Sequence, residues 1–100
     1  MIRDVWPQYP LRAASTIGGT THVAAPGPGL RVVVMEAMFG AGGTDVEIRD
    51  GATAIDKVKG GLGTTPFFHN PYGWWVLTEN SALTTNLNIS STLQYKVVPA

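Results

Sequence analysis

The sequence predicts an all-β fold: one antiparallel β-sandwich of seven or eight strands behind an extended N-terminal arm. The β-branched residues Val, Ile and Thr make up 26 of the 100 residues, and 12 glycines and 7 prolines interrupt them at short intervals. Strands separated by turn residues roughly every 8–12 positions are typical of sandwiches. A chain of this length supports one modest hydrophobic core. We therefore expect residues 14–100 to form a single domain.

Residues 1–13 are predicted to form the arm. They lack two-residue alternation and contain Trp6-Pro7 and Tyr9-Pro10. Proline fixes its own φ and favours an extended conformation in the residue before it. We expect Trp6 and Tyr9 to anchor the arm on a neighbouring subunit or, alternatively, on the sandwich of the same chain.

Two strand candidates have the strongest patterns. The segment 30–39 is apolar on both faces through Val32, Val33 and Val34, whereas 44–50 alternates, with Val46 and Ile48 facing inward. The other candidates span 20–25, 52–59, 62–68, 74–79, 83–89 and 93–98, with Ser90-Ser91 as the turn between the last two. Residues 52–59 also fit two turns of helix, but Asp50-Gly51 is a hairpin signal and favours a strand. The predicted core comprises Val32, Val34, Val46, Ile48, Leu87, Ile89, Leu93 and Tyr95.

The composition and motifs argue against several classes of function. Seven basic and seven acidic residues cancel, which leaves no basic face for nucleic acid, and the absence of cysteine excludes thiolate metal sites. The longest apolar run, 32–35, is too short to span a membrane, and residues 1–11 contain no signal-peptide core. We therefore expect no membrane partner for this chain.

No catalytic constellation is present either. His22 and His69 lack a nearby metal-ligand partner, and no serine lies in Gly-x-Ser-x-Gly. The acidic residues Asp45, Glu47, Asp50 and Asp56 are interpreted as a solvated face and a turn. We expect no enzyme activity, no cofactor and no metal.

The distribution of charge instead predicts a surface covered by other chains. Residues 60–95 contain one charged residue, Glu79. The outer face of the strand 30–39 is apolar, and alternation places Trp74 and Trp75 on opposite faces, so that one of them needs a cover or a ligand. The hypothetical interface residues are Trp6, Tyr9, Val33, Met35, Tyr72 and Trp74.

The order of elements resembles small virion proteins of tailed bacteriophages. The resemblance covers residues 14–98. Its first half consists of an apolar strand after a Pro/Gly turn (28–34) and an acidic-faced strand with a Gly turn (46–51). Its second half consists of an Asn-Pro-x-Gly-Trp turn (70–74), the alternating strand 83–89 and the closing Tyr95-Lys96-Val97. The Thr-rich segment before the alternating strand belongs to the same pattern.

This resemblance implies a jelly-roll-like sandwich and a non-enzymatic role as a capsid decoration (cement) protein that stabilises the assembled head. It also implies a homotrimer that is made in the host cytoplasm, lies on the capsid surface of the virion and contacts the major capsid protein or another virion protein. The alternative is a carbohydrate-binding module that attaches to a host glycan or receptor through exposed Trp or Tyr side chains.

Overall fold

The structure, a computed structural model, describes residues 8–40, 45–58, 67–70 and 73–100. Within these residues the chain forms β-strands and no helix, which confirms the all-β antiparallel class. The strands are β1 (Arg12–Val23), β2 (Leu30–Gly40), β3 (Val46–Asp50), β4 (Thr53–Val58), β5 (Phe67–His69), β6 (Trp75–Val76) and β7 (Leu83–Pro99). Within the ambiguous segment 52–59, residues 53–58 are thus a strand, and the candidate at 62–68 lies largely outside the described residues.

The 17-residue strand β7 organises the sheet. Strand β1 pairs with one edge of β7 along its length, while the other edge of β7 pairs first with β3, through 83–85, and then with β2, through 90–99. Strand β4 extends the sheet beyond β3, and β5 and β6 both pair with the far edge of β2. All seven strands therefore belong to one curled sheet, and two separate sandwich sheets are not confirmed among the described residues.

The predicted turn at Ser90-Ser91 is wrong. Both serines lie inside β7, where Ser90 pairs with Gly40 and Ser91 pairs with Phe39 on β2. Strand β1 also reaches Ser91 from the opposite side, through Thr16. Because partner strands satisfy the backbone on both edges, the local turn preference of two serines is overridden. Strand β1 is likewise longer than predicted and includes residues 12 and 13 of the proposed arm.

A β-bulge at Met35 explains why β2 is apolar on both faces. Val34 pairs with Tyr95 and Glu36 with Gln94, so Met35 is an extra residue in the ladder. The bulge reverses which alternate residues face the core. Val32 and Val34 face it before the bulge, and Ala37 and Phe39 face it afterwards.

The main core lies on the concave side of the curled sheet. Six of the predicted core residues are buried there and Tyr95 packs against them, but Leu87 is 38% exposed, so its assignment is wrong. Leu87 lies in the stretch of β7 that has left β3 and has not yet joined β2, so no neighbouring strand on that edge covers it. The sequence analysis missed the buried residues Val23, Ala37, Phe39, Val58, Trp75, Leu77 and Leu83.

Candidate interaction surface

The structure brings together three of the hypothetical interface residues. Tyr9, Val33 and Met35 pack with Val98 in a small apolar cluster on the convex face of the sheet, opposite the main core. Val33 and Met35 are already buried within the chain, which leaves them little surface to offer a partner. Trp6 and Tyr72 lie outside the described residues. The role of all six residues at an interface stays a prediction.

Tyr9 shows where one residue of the proposed arm lies. Its side chain is partly buried against Val33, Met35 and Val98 of the same chain. For this residue the observed contact corresponds to the alternative in which the arm packs on its own domain. Residues 1–7, including Trp6, are not among the described residues.

A glycine places the two tryptophans. Gly73 has φ 100°, and a Cβ at this position would lie 2.5 Å from Cγ1 of Val33, so the backbone approach requires glycine. The next amide, that of Trp74, donates to the carbonyl of Val34 at 2.7 Å. Trp75 is buried, and its Nε1 donates to Oδ2 of Asp56 at 3.2 Å, whereas Trp74 is 42% exposed.

The aromatic rings form a row from the surface to the interior. The Phe68 ring lies 5.3 Å from Trp74 and 5.1 Å from Trp75, and Phe39 lies 6.1 Å from Trp75 and 5.7 Å from His22, centroid to centroid. Both tryptophans therefore contact the same ring, so strict alternation between opposite faces is wrong for them. The reason is that Trp74 lies in a bend before β6 begins.

His22 ends this row and joins β1 to β7. It is 3% exposed, and its Nδ1 lies 2.6 Å from Oγ of Ser91 while its Nε2 lies 2.9 Å from Oγ1 of Thr85. Oγ1 of Thr85 donates to the carbonyl of Leu87 at 2.8 Å and must therefore accept from Nε2–H of His22. Nδ1 is then free to accept from the Ser91 hydroxyl, and the neutral imidazole is fully hydrogen-bonded.

The environment of His22 supports a structural role. Burial lowers its pKa below the ordinary value of 6.5, because the cation would lose its hydration. The Ser91–His22 contact has the distance of a nucleophile–base pair. However, both side chains face the core and are almost wholly buried. The other histidine, His69, is exposed, and its Nδ1 lies 3.5 Å from Oε1 of Glu36.

Two of the four acidic residues anchor neighbouring segments rather than forming a solvated face. Both carboxylate oxygens of Asp50 accept hydrogen bonds from Thr78, and Asp56 accepts the one from Trp75. Glu47 pairs with Arg49 at 2.9 Å on the outer face, as the alternation of β3 predicts. Among the described residues there is no group of three or more His, Cys, Asp or Glu that could hold a metal.

The most exposed apolar surface was not predicted. A shallow hollow of about 200 Å³ is lined by residues 15–17, 38–40 and 90–92 of β1, β2 and β7. We use the name outer patch for the five of these residues that strand alternation places on the convex face: Ser15, Ile17, Met38, Ser90 and Thr92. Ile17 is 93% exposed and Met38 is 44% exposed. The sequence contains one signal that could have pointed to this surface: residues 13–21 carry no charge.

Searches for related proteins gave no match, since no protein-family model, curated protein or solved structure matches the chain. No helix of the described residues has the length and hydropathy needed to cross a membrane.

Proposed function

We propose that the chain is a non-enzymatic structural protein that self-associates through β1 and the outer patch, and that it serves as a capsid decoration protein on a phage head. The observation that carries this proposal is the 93% exposure of Ile17 on a long, nearly uncharged edge strand.

The edge of β1 favours strand pairing with another chain. Among the described strands, β1 pairs with β7 alone, so no described strand satisfies the backbone donors and acceptors of its other edge. Natural edge strands are usually protected by charges, prolines or bulges. Residues 12–16 pair in regular register and carry only Arg12 as a charge, while the irregularities in the ladder begin after Thr16. The first half of β1 therefore lacks the usual protection beyond that single charge.

The outer patch adds apolar area beside this edge. Single exposed hydrophobic residues are common on soluble proteins. Here Ile17 and Met38 line the same hollow, and the remaining members of the patch are neutral hydroxyl side chains. A second copy can cover this surface without burying a charge, which favours association between identical chains.

The assignment to a phage head rests on the resemblance in strand order, and the chain's low charge and all-β fold are compatible with it. By this proposal the protomers associate, with three as the expected number, and the assembly contacts the major capsid protein.

The first test is the mass of the purified protein by sedimentation at micromolar concentrations, followed by its binding to heads that lack it. We expect a stable oligomer that co-sediments with such heads and raises their melting temperature. If the protein is a monomer and does not bind heads, the whole proposal is contradicted. If it is an oligomer that does not bind heads, the capsid role is contradicted and only self-association is supported.

Trp74 supports a second candidate function, the binding of a glycan. The residue is 42% exposed at the open end of the aromatic row, and its ring lies 5.3 Å from that of Phe68. An exposed ring with an apolar face and a polar N–H can stack on a sugar. A glycan array tests this candidate: binding that is lost in Trp74→Ala favours it, and no binding by the wild type removes it.

A further inference from the structure

A second cavity, of about 390 Å³, lies on the concave side of the sheet, beyond the end of the main core. Its walls are formed by the segment 24–26, by Leu30 at the start of β2, and by Tyr95 and Val97 of β7, and Arg12 of β1 lies at its margin. Five of the seven described lining residues have apolar side chains, and Arg12 and Tyr95 contribute polar groups.

The sheet register directs Arg12 toward this cavity. Arg12 is the cross-strand partner of Tyr95, and Ala14 is the partner of Leu93. Directly opposed residues of an antiparallel pair share a face. Since Leu93 is buried in the main core and Ala14 and Tyr95 pack against it, Arg12 also belongs to the concave face.

Among the described residues, the guanidinium of Arg12 forms no hydrogen bond or ion pair with a carboxylate, and none of the described residues that line the cavity is acidic. The Tyr95 hydroxyl belongs to the same opposed pair and supplies a further neutral donor. A cavity with five apolar lining residues and a guanidinium at its margin is complementary to a ligand with an apolar body and one negative group.

We propose that this cavity binds a small carboxylate with an apolar body. The apolar part packs against Leu30, Val97 and the segment 24–26, and the carboxylate accepts hydrogen bonds from Arg12. A planar guanidinium matches a carboxylate through two parallel hydrogen bonds, so a single arginine suffices for this head group. The site is on the opposite face from the outer patch, and it shares only Arg12 with the edge of β1 that the proposed self-association uses.

The test is a titration of the ¹⁵N-labelled full chain with octanoate, kept below its micelle range, and with octanamide as the neutral analogue. We expect octanoate to shift the amides of Ala24, Ala25, Leu30 and Val97 and to bind about tenfold more tightly than octanamide, since the charge-assisted contact is partly exposed. Arg12→Gln should abolish this preference while leaving octanamide binding within about twofold.

Arg49→Gln is the matched control, because it removes an arginine from the far side of the sheet, where Arg49 pairs with Glu47. This variant should keep the tenfold preference. The proposal is overturned if octanoate does not bind, if it shifts amides away from the cavity, if octanamide binds equally well to the wild type, or if Arg12→Gln keeps the preference.

Discussion

Neighbouring residues of the same strand differ in burial because their side chains point to opposite faces of the curled sheet. On β2, Phe39 is completely buried on the concave side, while Met38, one position earlier, is 44% exposed on the convex side. On β7, the hydroxyl of Ser91 is buried against His22, whereas Ser90 is exposed. Around Phe39 and His22 the concave face is tightly packed and hydrogen-bonded, whereas the convex face around Ile17 is exposed. We infer that the concave face maintains the fold and that the convex face is available for contacts with other chains.

Replacing Phe39 should produce the largest effect on the concave side. Its ring touches His22, Phe68 and Trp75, so Phe39→Ala leaves a cavity where three elements meet. We expect the free energy of unfolding to fall by about 3–5 kcal/mol, measured by urea denaturation. Met38→Ala, its neighbour on the convex face, is the control and should cost well under half as much. Equal decreases in the free energy of unfolding for the two variants would contradict the distinction between the two faces.

Variants of the adjacent residues Ser90 and Ser91 test the same difference between the convex and concave faces. Ser91→Ala removes the donor to Nδ1 of His22 and leaves a buried acceptor unpaired, which should cost about 1–3 kcal/mol. Ser90 accepts a long, exposed hydrogen bond from the Gly18 amide, at 3.3 Å. Ser90→Ala should therefore change stability by only about 0.5 kcal/mol. If Ser90→Ala proves the more damaging variant in urea denaturation, the assignment of the His22 network to the core is wrong.

A smaller effect is expected from pH. His22 has a lowered pKa in the folded protein, so the unfolded chain binds its proton more readily. The stability supplied by neutral His22 is complete above pH 6.5 and is lost as the pH falls below 6.5 toward the folded pKa. NMR titration of the His22 ring should give a midpoint below 6.5.

Urea midpoints should fall over the same acidic range. His69→Gln, which removes the exposed histidine, should preserve this decrease, because it leaves His22 in place. A midpoint for His22 at or above 6.5 contradicts the proposed desolvation.

Local patterns predicted the parts of the fold that depend on local rules. The alternation of β3 correctly placed Val46 and Ile48 in the core, and Asp50-Gly51 correctly favoured a strand over a helix for residues 53–58. Both signals act over a few residues and are visible in a single segment.

Features that depend on distant partners were missed. The pairing of Ser90 and Ser91 needs β1 and β2 on both sides, and the exposure of Leu87 arises because β7 changes partners there. The partners of His22 are more than 60 positions away in the sequence. No local pattern marks Met35 as the bulge, although the two-sided apolar run of β2 is its consequence. Likewise, the outer patch joins β1, β2 and β7, and only the lack of charge in 13–21 hinted at it.

The comparison of the faces is tested most directly by sedimentation of Ile17→Lys beside Ile55→Lys. Both variants replace an exposed isoleucine with lysine, but Ile55 lies on β4, away from the outer patch. We predict that Ile17→Lys sediments as a monomer at micromolar concentrations with a urea midpoint close to that of the wild type, while Ile55→Lys keeps the wild-type oligomer. An Ile17→Lys variant that keeps the wild-type oligomer, or a wild type that is itself monomeric, would contradict the assignment of the convex face to self-association.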